Sequence, residues 1–197
     1  MPRQATGRKN EAILDAAVVE IAGHGYHGTT VAMIARRAGV ADGTIYLYFE
    51  GKEEILVSLF DRAMDRFTEQ GVGELAGLED PVAQLARIIE LHLELVGGDR
   101  DLAIITQVEL RHSLHFLDQL SRAKVGEYLQ AIAGVIAEGQ AAGAWRRDLD
   151  PALLAKAVFG VLDEMATDWV LSRRNTRLAA RSDAVNRFVM GALRPLD

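Results

Sequence analysis

An all-α fold is predicted by three observations. Apolar residues recur at three- and four-residue spacing along almost the whole chain, sustained two-residue alternation is absent, and the apolar stretches are separated by helix start and stop signals rather than hairpin turns. About nine helices follow from this pattern. In the first, Ile13, Leu14, Ala17, Val18 and Ile21 form a stripe, with Gly23 and Gly25 as its stop. Thr29 or Thr30 can accept a backbone N–H as the N-cap of a short second helix, Val31 to Ala38, and Gly39 supplies the turn. Asp42 offers a cap for a third helix over Gly43 to Phe49. The fourth begins near Lys52 with Ile55, Leu56, Leu59, Phe60, Ala63 and Phe67 on one face. The glycine-rich stretch Gly71 to Gly77 marks its end and a hinge, and Asp80-Pro81 starts a fifth helix that runs to Gly97 and Gly98. A compact segment, Leu102 to Leu110, precedes a long helix near Phe116 to Ala142. Asp150-Pro151 opens a helix ending near Ser172, and the last spans about Ala179 to Leu193.

Composition bounds the function. The 197 residues are 49% hydrophobic, enough for a sizeable core, and the absence of cysteine removes disulfides and thiolate chemistry. No apolar run approaches a membrane span and the N-terminus lacks a signal core, so a cytoplasmic chain with no membrane partner is expected. The net charge of −6 is unevenly spread: residues 1–52 balance at +1 and the remainder at −7. Any surface for phosphates therefore belongs to the N-terminal part.

Residues 29–49, TTVAMIARRAGVADGTIYLYF, join two short helices through Gly39 and read as a helix-turn-helix. Ile34, Ala35, Val40 and Ile45 can form its small core, leaving Asp42, Gly43, Thr44, Tyr46 and Leu47 on the open face, with Gly43 small enough for close approach in a major groove. Tyr and Thr hydroxyls and a lysine at a helix N-terminus are sound phosphate donors. Asp42 is either an N-cap or an acceptor for cytosine N4. Tyr46 and Tyr48 are otherwise read as core aromatics, although Ile45 and Phe49 fit the buried face better. Arg3, Arg8 and Lys9 are either a minor-groove arm or a solvated tail.

Over residues 10–67 the sequence resembles the Tet repressor family, whose N-terminal pattern runs from the Thr-Thr helix start through Gly-Val, Gly-Thr-Ile-Tyr and Tyr-Phe to Lys-Glu-Glu; Ala41 stands here in place of a frequent Ser, and Asp42 in place of a common base. The resemblance implies a DNA-binding domain over residues 1–52, comprising three helices, and a ligand-binding and dimerisation domain over residues 53–197. It implies a double-stranded operator contacted by Thr30, Gly43, Thr44, Tyr46, Tyr48 and Lys52, with Thr44, Tyr48 and Lys52 on phosphates. It also implies a homodimer closed by the last two helices, with Trp169, Phe188, Val189 and Ala192 at the interface. Ala157, Gly160 and Ala166 would permit close helix approach there, and Met165 is open between interface and core.

Segments 41–49, 101–111 and 159–164 are similar to the branch of that family that represses fatty-acid degradation genes and is released by long-chain acyl-coenzyme A. On that resemblance the effector is an acyl-coenzyme A and no cofactor is needed. Ile104, Ile105, Val108, Leu129, Ile132, Phe159 and Leu162, with Leu95, would line an apolar tunnel, and Arg100 and Arg111 would meet the coenzyme A phosphates. The alternative for the apolar residues is plain core, and for Arg111 an ion pair with Glu109 or Asp163. The other readings are a repressor of an efflux gene released by hydrophobic drugs and, from a different class, a helical enzyme. For the enzyme the residues offer little. Glu109-x-x-His112 has the spacing of a di-iron bundle motif but no second pair, the five histidines lack a zinc companion set, and no serine sits in a nucleophile elbow.

Overall fold

A computed structural model describes residues 2–109, 121–172 and 176–195. Among them there are helices and no strand: α1 (Pro2–Gly28), α2 (Val31–Ala38), α3 (Asp42–Ile45), α4 (Lys52–Leu75), α5 (Pro81–Gly98), α6 (Arg100–Ile104), a π-helical turn (Ile105–Glu109), α7 (Ser121–Ala141), α8 (Pro151–Leu171), a 3-10 turn (Leu178–Arg181) and α9 (Ser182–Leu193). They form two compact units. Of the described residues, 2–63 with 101–109 make the first, and 64–100 with 121–172 and 176–195 the second.

The first unit is built on the stripe of α1. Ile13, Leu14, Ala17, Val18 and Ile21 are buried against Ile34 and Ala35 of α2, Ile45 of α3, Phe49, and Ile55, Leu56 and Leu59 of α4; Leu102 and Ile105 join the same core. The stop signal in α1 acts at Gly25 rather than Gly23. Gly25 takes φ 72°, ψ 161°, a conformation open to glycine, and kinks the helix. The Thr29 hydroxyl closes the end by donating to the Glu20 and Gly25 carbonyls at 3.0 and 2.9 Å. Glu20 is 4% exposed; its carboxylate accepts from Arg37 Nε at 2.5 Å, which ties α1 to α2. Arg3, Arg8 and Lys9 belong to α1, so this N-terminal stretch is helix and not an extended arm.

In the second unit α5 is the central element. Leu85, Ile88, Ile89, Leu91, His92 and Leu93 are all buried, the signature of a helix covered on most sides. It packs against α7, α8, α9 and the 3-10 turn. Its start is the one the sequence predicts, with the Asp80 carboxylate accepting from the Val82 and Ala83 N–H groups at 3.2 Å and Pro81 in the first turn. Asp150 caps α8 in the same way, accepting from Leu153 N at 3.0 Å. The expected break falls inside Gly71 to Gly77: α4 runs helically through Gly71 and Gly73 and ends at Leu75.

Candidate functional site

The candidate nucleic-acid surface is the open face of the first unit. Helix α2 starts at Thr30, whose hydroxyl accepts from Met33 N at 3.2 Å, and ends at Gly39, which takes φ 69°, ψ 30°. The Gly39 and Val40 N–H groups then donate to the Arg36 and Ala35 carbonyls at 3.3 and 3.0 Å, a Schellman closure that turns the chain sharply into α3. Ile45 at 0% and Phe49 at 3% exposure anchor the next segment to the core. Thr44 and Tyr48 are half-buried, whereas Tyr46 and Leu47 stand out at 59% and 80%. Tyr46 is thus free of the core, and Tyr48, partly buried, packs against it.

Gly43 is exposed, and a Cβ placed on it would meet nothing within 4 Å. The fold does not require a glycine there. An alanine would favour the helix by about 0.5–1 kcal/mol, so neither packing nor backbone conformation accounts for the glycine, and the surface at this point is open to close approach.

Two readings of this surface are corrected. Asp42 is not the N-cap of α3: Ala41 holds that position without a side-chain bond, and Asp42 is the first helical residue, where its charge complements the helix dipole. The regular helix is also shorter than residues 43–49, ending at Ile45, with the chain turning on through the Leu47 and Tyr48 N–H bonds to the Thr44 and Ile45 carbonyls. Lys52 is directed inward. Its ammonium donates to the Tyr26 and Thr29 carbonyls at 2.5 and 2.7 Å and lies 4.3 Å from the Tyr26 ring centroid. Burial lowers its pKa from the usual lysine range. At most one N–H remains for a phosphate oxygen, so Lys52 first closes the C-terminus of α1.

The second unit holds an aromatic cluster drawn from four helices. Phe67 of α4, His92 of α5, Tyr128 of α7 and Phe159 of α8 have ring centroids 5.1–6.2 Å apart, with Phe159 edge-on to His92 and Tyr128. His92 Nδ1 and the Tyr128 hydroxyl are 3.0 Å apart. Burial pushes the His92 imidazole down to about 4 and raises the Tyr128 phenol, so both are neutral near pH 7. The sequence did not single out this pair; the signal was a histidine inside the apolar stripe of α5.

Of the expected tunnel residues, Leu129, Ile132, Phe159 and Leu162 sit on the paired helices α7 and α8, with Ile132 and Leu162 fully buried and Leu129 and Phe159 half-buried. Leu95 is half-buried on α5. Ile104 and Val108 are half-buried residues of the first unit, while Ile105 is fully buried in that unit's core, which gives it a packing role. Arg111 lies outside the described residues. Arg100 is corrected: its Nη2 donates to the Val170 and Ser172 carbonyls at 3.0 and 2.7 Å and approaches that of Trp169 at 3.3 Å, with the guanidinium 4.8 Å over the Trp169 ring. It caps α8 instead of awaiting a phosphate.

Two expected interface residues are corrected as well. Trp169 is 5% exposed with its indole N–H donating to the Thr176 carbonyl at 2.7 Å, and Val189 is 3% exposed; both are filled in within the subunit. Phe188 at 63% and Ala192 remain on the surface. Phe188, Ala157, Gly160, Val161, Met165 and Val185 line an apolar groove of about 610 Å³ between α8 and α9, edged by Glu164 and Arg181. Met165 therefore faces the groove. Among the described residues no three His, Asp or Glu side chains converge as a metal site, and no helix is long and apolar enough to cross a membrane.

Comparison with known proteins agrees with both halves of this geometry. Residues 13–59 match the bacterial regulatory proteins of the tetR family, and residues 60–192 match the C-terminal region of YsiA-like proteins, a second grouping within the Tet-repressor proteins. The fatty acid metabolism regulator protein of Bacillus subtilis is 40% identical over 181 residues, covering 92% of this chain and 93% of its own length. Among solved structures, the transcriptional regulator FadR from Bacillus subtilis in complex with stearoyl-CoA superposes with a TM-score of 0.87 at 40% identity, over 93% of this chain and 99% of that one. The fatty acid degradation regulator FadR from Bacillus halodurans gives 0.86 at 38% identity, over 93% and 99%. With family matches spanning both the helix-turn-helix and the helical body, this chain belongs to the Tet-repressor family of bacterial transcriptional regulators.

Proposed function

We propose that this protein is a cytoplasmic repressor that binds a palindromic operator as a homodimer, leaves it on binding long-chain acyl-coenzyme A, and so controls fatty-acid degradation genes. The observation that carries the reading is the extent of the likeness: 40% identity continues through the effector body of a regulator whose structure holds stearoyl-CoA. The Gly43–Tyr46–Leu47 face supports groove contact, with Thr30, Thr44 and Tyr48 beside it for phosphates. The groove at Phe188 supports a two-fold interface, which sets two recognition elements one or more turns of roughly 34–36 Å apart.

Release is a population shift. The acyl-coenzyme A must bind better to the form whose recognition elements are out of register with the operator, since equal affinity for both forms moves nothing. Each buried methylene adds about 0.8 kcal/mol, so release strengthens with chain length until the site is full. Arg111 is the proposed partner for a coenzyme A phosphate, to which Arg111→Ala weakens the response while operator affinity holds. The test titrates acyl-coenzyme A species, free fatty acids and lipophilic drugs against a labelled operator complex. Release by the esters is expected; release by drugs alone overturns the proposal in favour of an efflux-gene repressor.

A further inference from the structure

The aromatic cluster of the second unit contains a polar atom that the fold leaves unused. His92 is 5% exposed, and its Nε2 is buried with no hydrogen-bond partner among the described residues. The imidazole is neutral, so it carries one N–H and one lone pair. Two arrangements of the His92–Tyr128 pair are conceivable. With the proton on Nδ1, that nitrogen donates to the phenol oxygen; the Tyr128 O–H then lacks an acceptor among the described residues, as does the lone pair on Nε2. With the proton on Nε2, the Tyr128 O–H donates to Nδ1 and only the Nε2–H is left over. Each orphaned group costs roughly 1–3 kcal/mol, so the second arrangement is favoured and Nε2 is a donor.

A leucine or phenylalanine at position 92 would fill the same apolar stripe without an orphan. The second unit therefore holds a buried, oriented N–H donor, walled by Phe67, Tyr128 and Phe159, inside the body to which the effector is assigned. We propose that His92 Nε2–H is the hydrogen-bond donor for the thioester carbonyl oxygen of the acyl-coenzyme A, and that Tyr128 is the positioning residue that fixes its tautomer. This rests on the acyl-coenzyme A reading above. The carbonyl is a neutral acceptor attached to the apolar tail, matched to a neutral donor among aromatic rings. A free carboxylate brought to the same place would lose its hydration with no cation beside it in the cluster, so the donor also selects the ester over the acid.

The test compares stearoyl-coenzyme A with its thioether analogue, S-octadecyl-coenzyme A, in which a methylene replaces the carbonyl. In the wild-type protein the thioether should need about five- to tenfold more ligand for half-release of the operator, the worth of one hydrogen bond. His92→Phe should respond to both equally, at the thioether level, and Tyr128→Phe should narrow the preference while keeping its ring in place. Histidine-selective 15N NMR of the wild-type protein gives a readout that no packing defect can mimic and that stands even where a variant fails to fold. Nε2 should be protonated in the free protein and should shift on adding the thioester but not the thioether. Equal release by the two ligands in wild type, or a preference that persists in His92→Phe, overturns the proposal and leaves the effector reading standing. Release by neither ligand overturns the effector reading, and the donor role with it.

Discussion

Replacing Phe188 with alanine removes the largest exposed apolar side chain of the groove between α8 and α9. A phenylalanine can bury about 200 Å², and 63% of this one is exposed in the single subunit, which leaves about 125 Å² for a partner to cover. At about 25 cal/mol per Å² this is about 3 kcal/mol per subunit. A two-fold interface uses the residue twice, so the upper figure is about 6 kcal/mol per dimer. Ordering and polar desolvation oppose association, and half of that amount, about 3 kcal/mol or a hundredfold weaker dimer, is the expected loss. Sedimentation velocity over a dilution series measures it directly, with operator affinity falling in parallel. Val189→Ala is the counterpart: at 3% exposure it should cost roughly 1.5–3 kcal/mol of folding stability and leave dimerisation nearly unchanged. A Phe188→Ala protein that stays dimeric at wild-type dilution refutes the assignment of this face.

Other outcomes follow from positions on which the structure is equally definite. In α7, a Cβ on Gly139 would lie 2.2 Å from the buried Trp145 ring, whereas one on Gly134 meets nothing within 4 Å. Gly139→Ala should therefore lose about 1–3 kcal/mol and disturb Trp145 fluorescence, while Gly134→Ala gains about 0.5–1; equal shifts in melting temperature would refute this. Lys52→Ala should lower the melting temperature by breaking the closure of α1, about 1–3 kcal/mol, and change the salt slope of operator binding by less than one unit; an unchanged melt with a full unit of slope would return Lys52 to the phosphates. His92 binds its proton less readily folded than unfolded, so between pH 6.5 and about 4 the unfolded state holds more protons and stability falls as the pH falls. Denaturant melts of wild type and His92→Phe should diverge in that window by an amount on the order of 3 kcal/mol at its acid end, and parallel pH profiles would count against a buried neutral imidazole.

Local signals carried much of this protein. The stripe Ile13–Ile21, the caps at Asp80 and Asp150, and the Gly39 turn act over three to five residues, so their physics is complete within the segment and the sequence alone located them, while it left the cap of α2 between Thr29 and Thr30. The open face at Gly43 and Tyr46 was legible for the same reason, since Ile45 and Phe49 assign the buried side and leave the other. What only the tertiary structure decided is where long polar side chains and shared apolar residues go. Lys52 and Arg100 each had a chemically sound role in DNA or ligand binding, yet the carbonyls of Tyr26, Thr29, Val170 and Ser172 captured the two cations, and Asp42, expected as a helix cap, moved one place into its helix. Phe188 and Val189 are adjacent and equally apolar, but one points outward and the other into the core. Ile105, far along the chain, joins the core of the N-terminal unit. Helical periodicity fixes which residues share a face; it carries no information about what that face will meet, because the partner is set by contacts between segments distant in sequence.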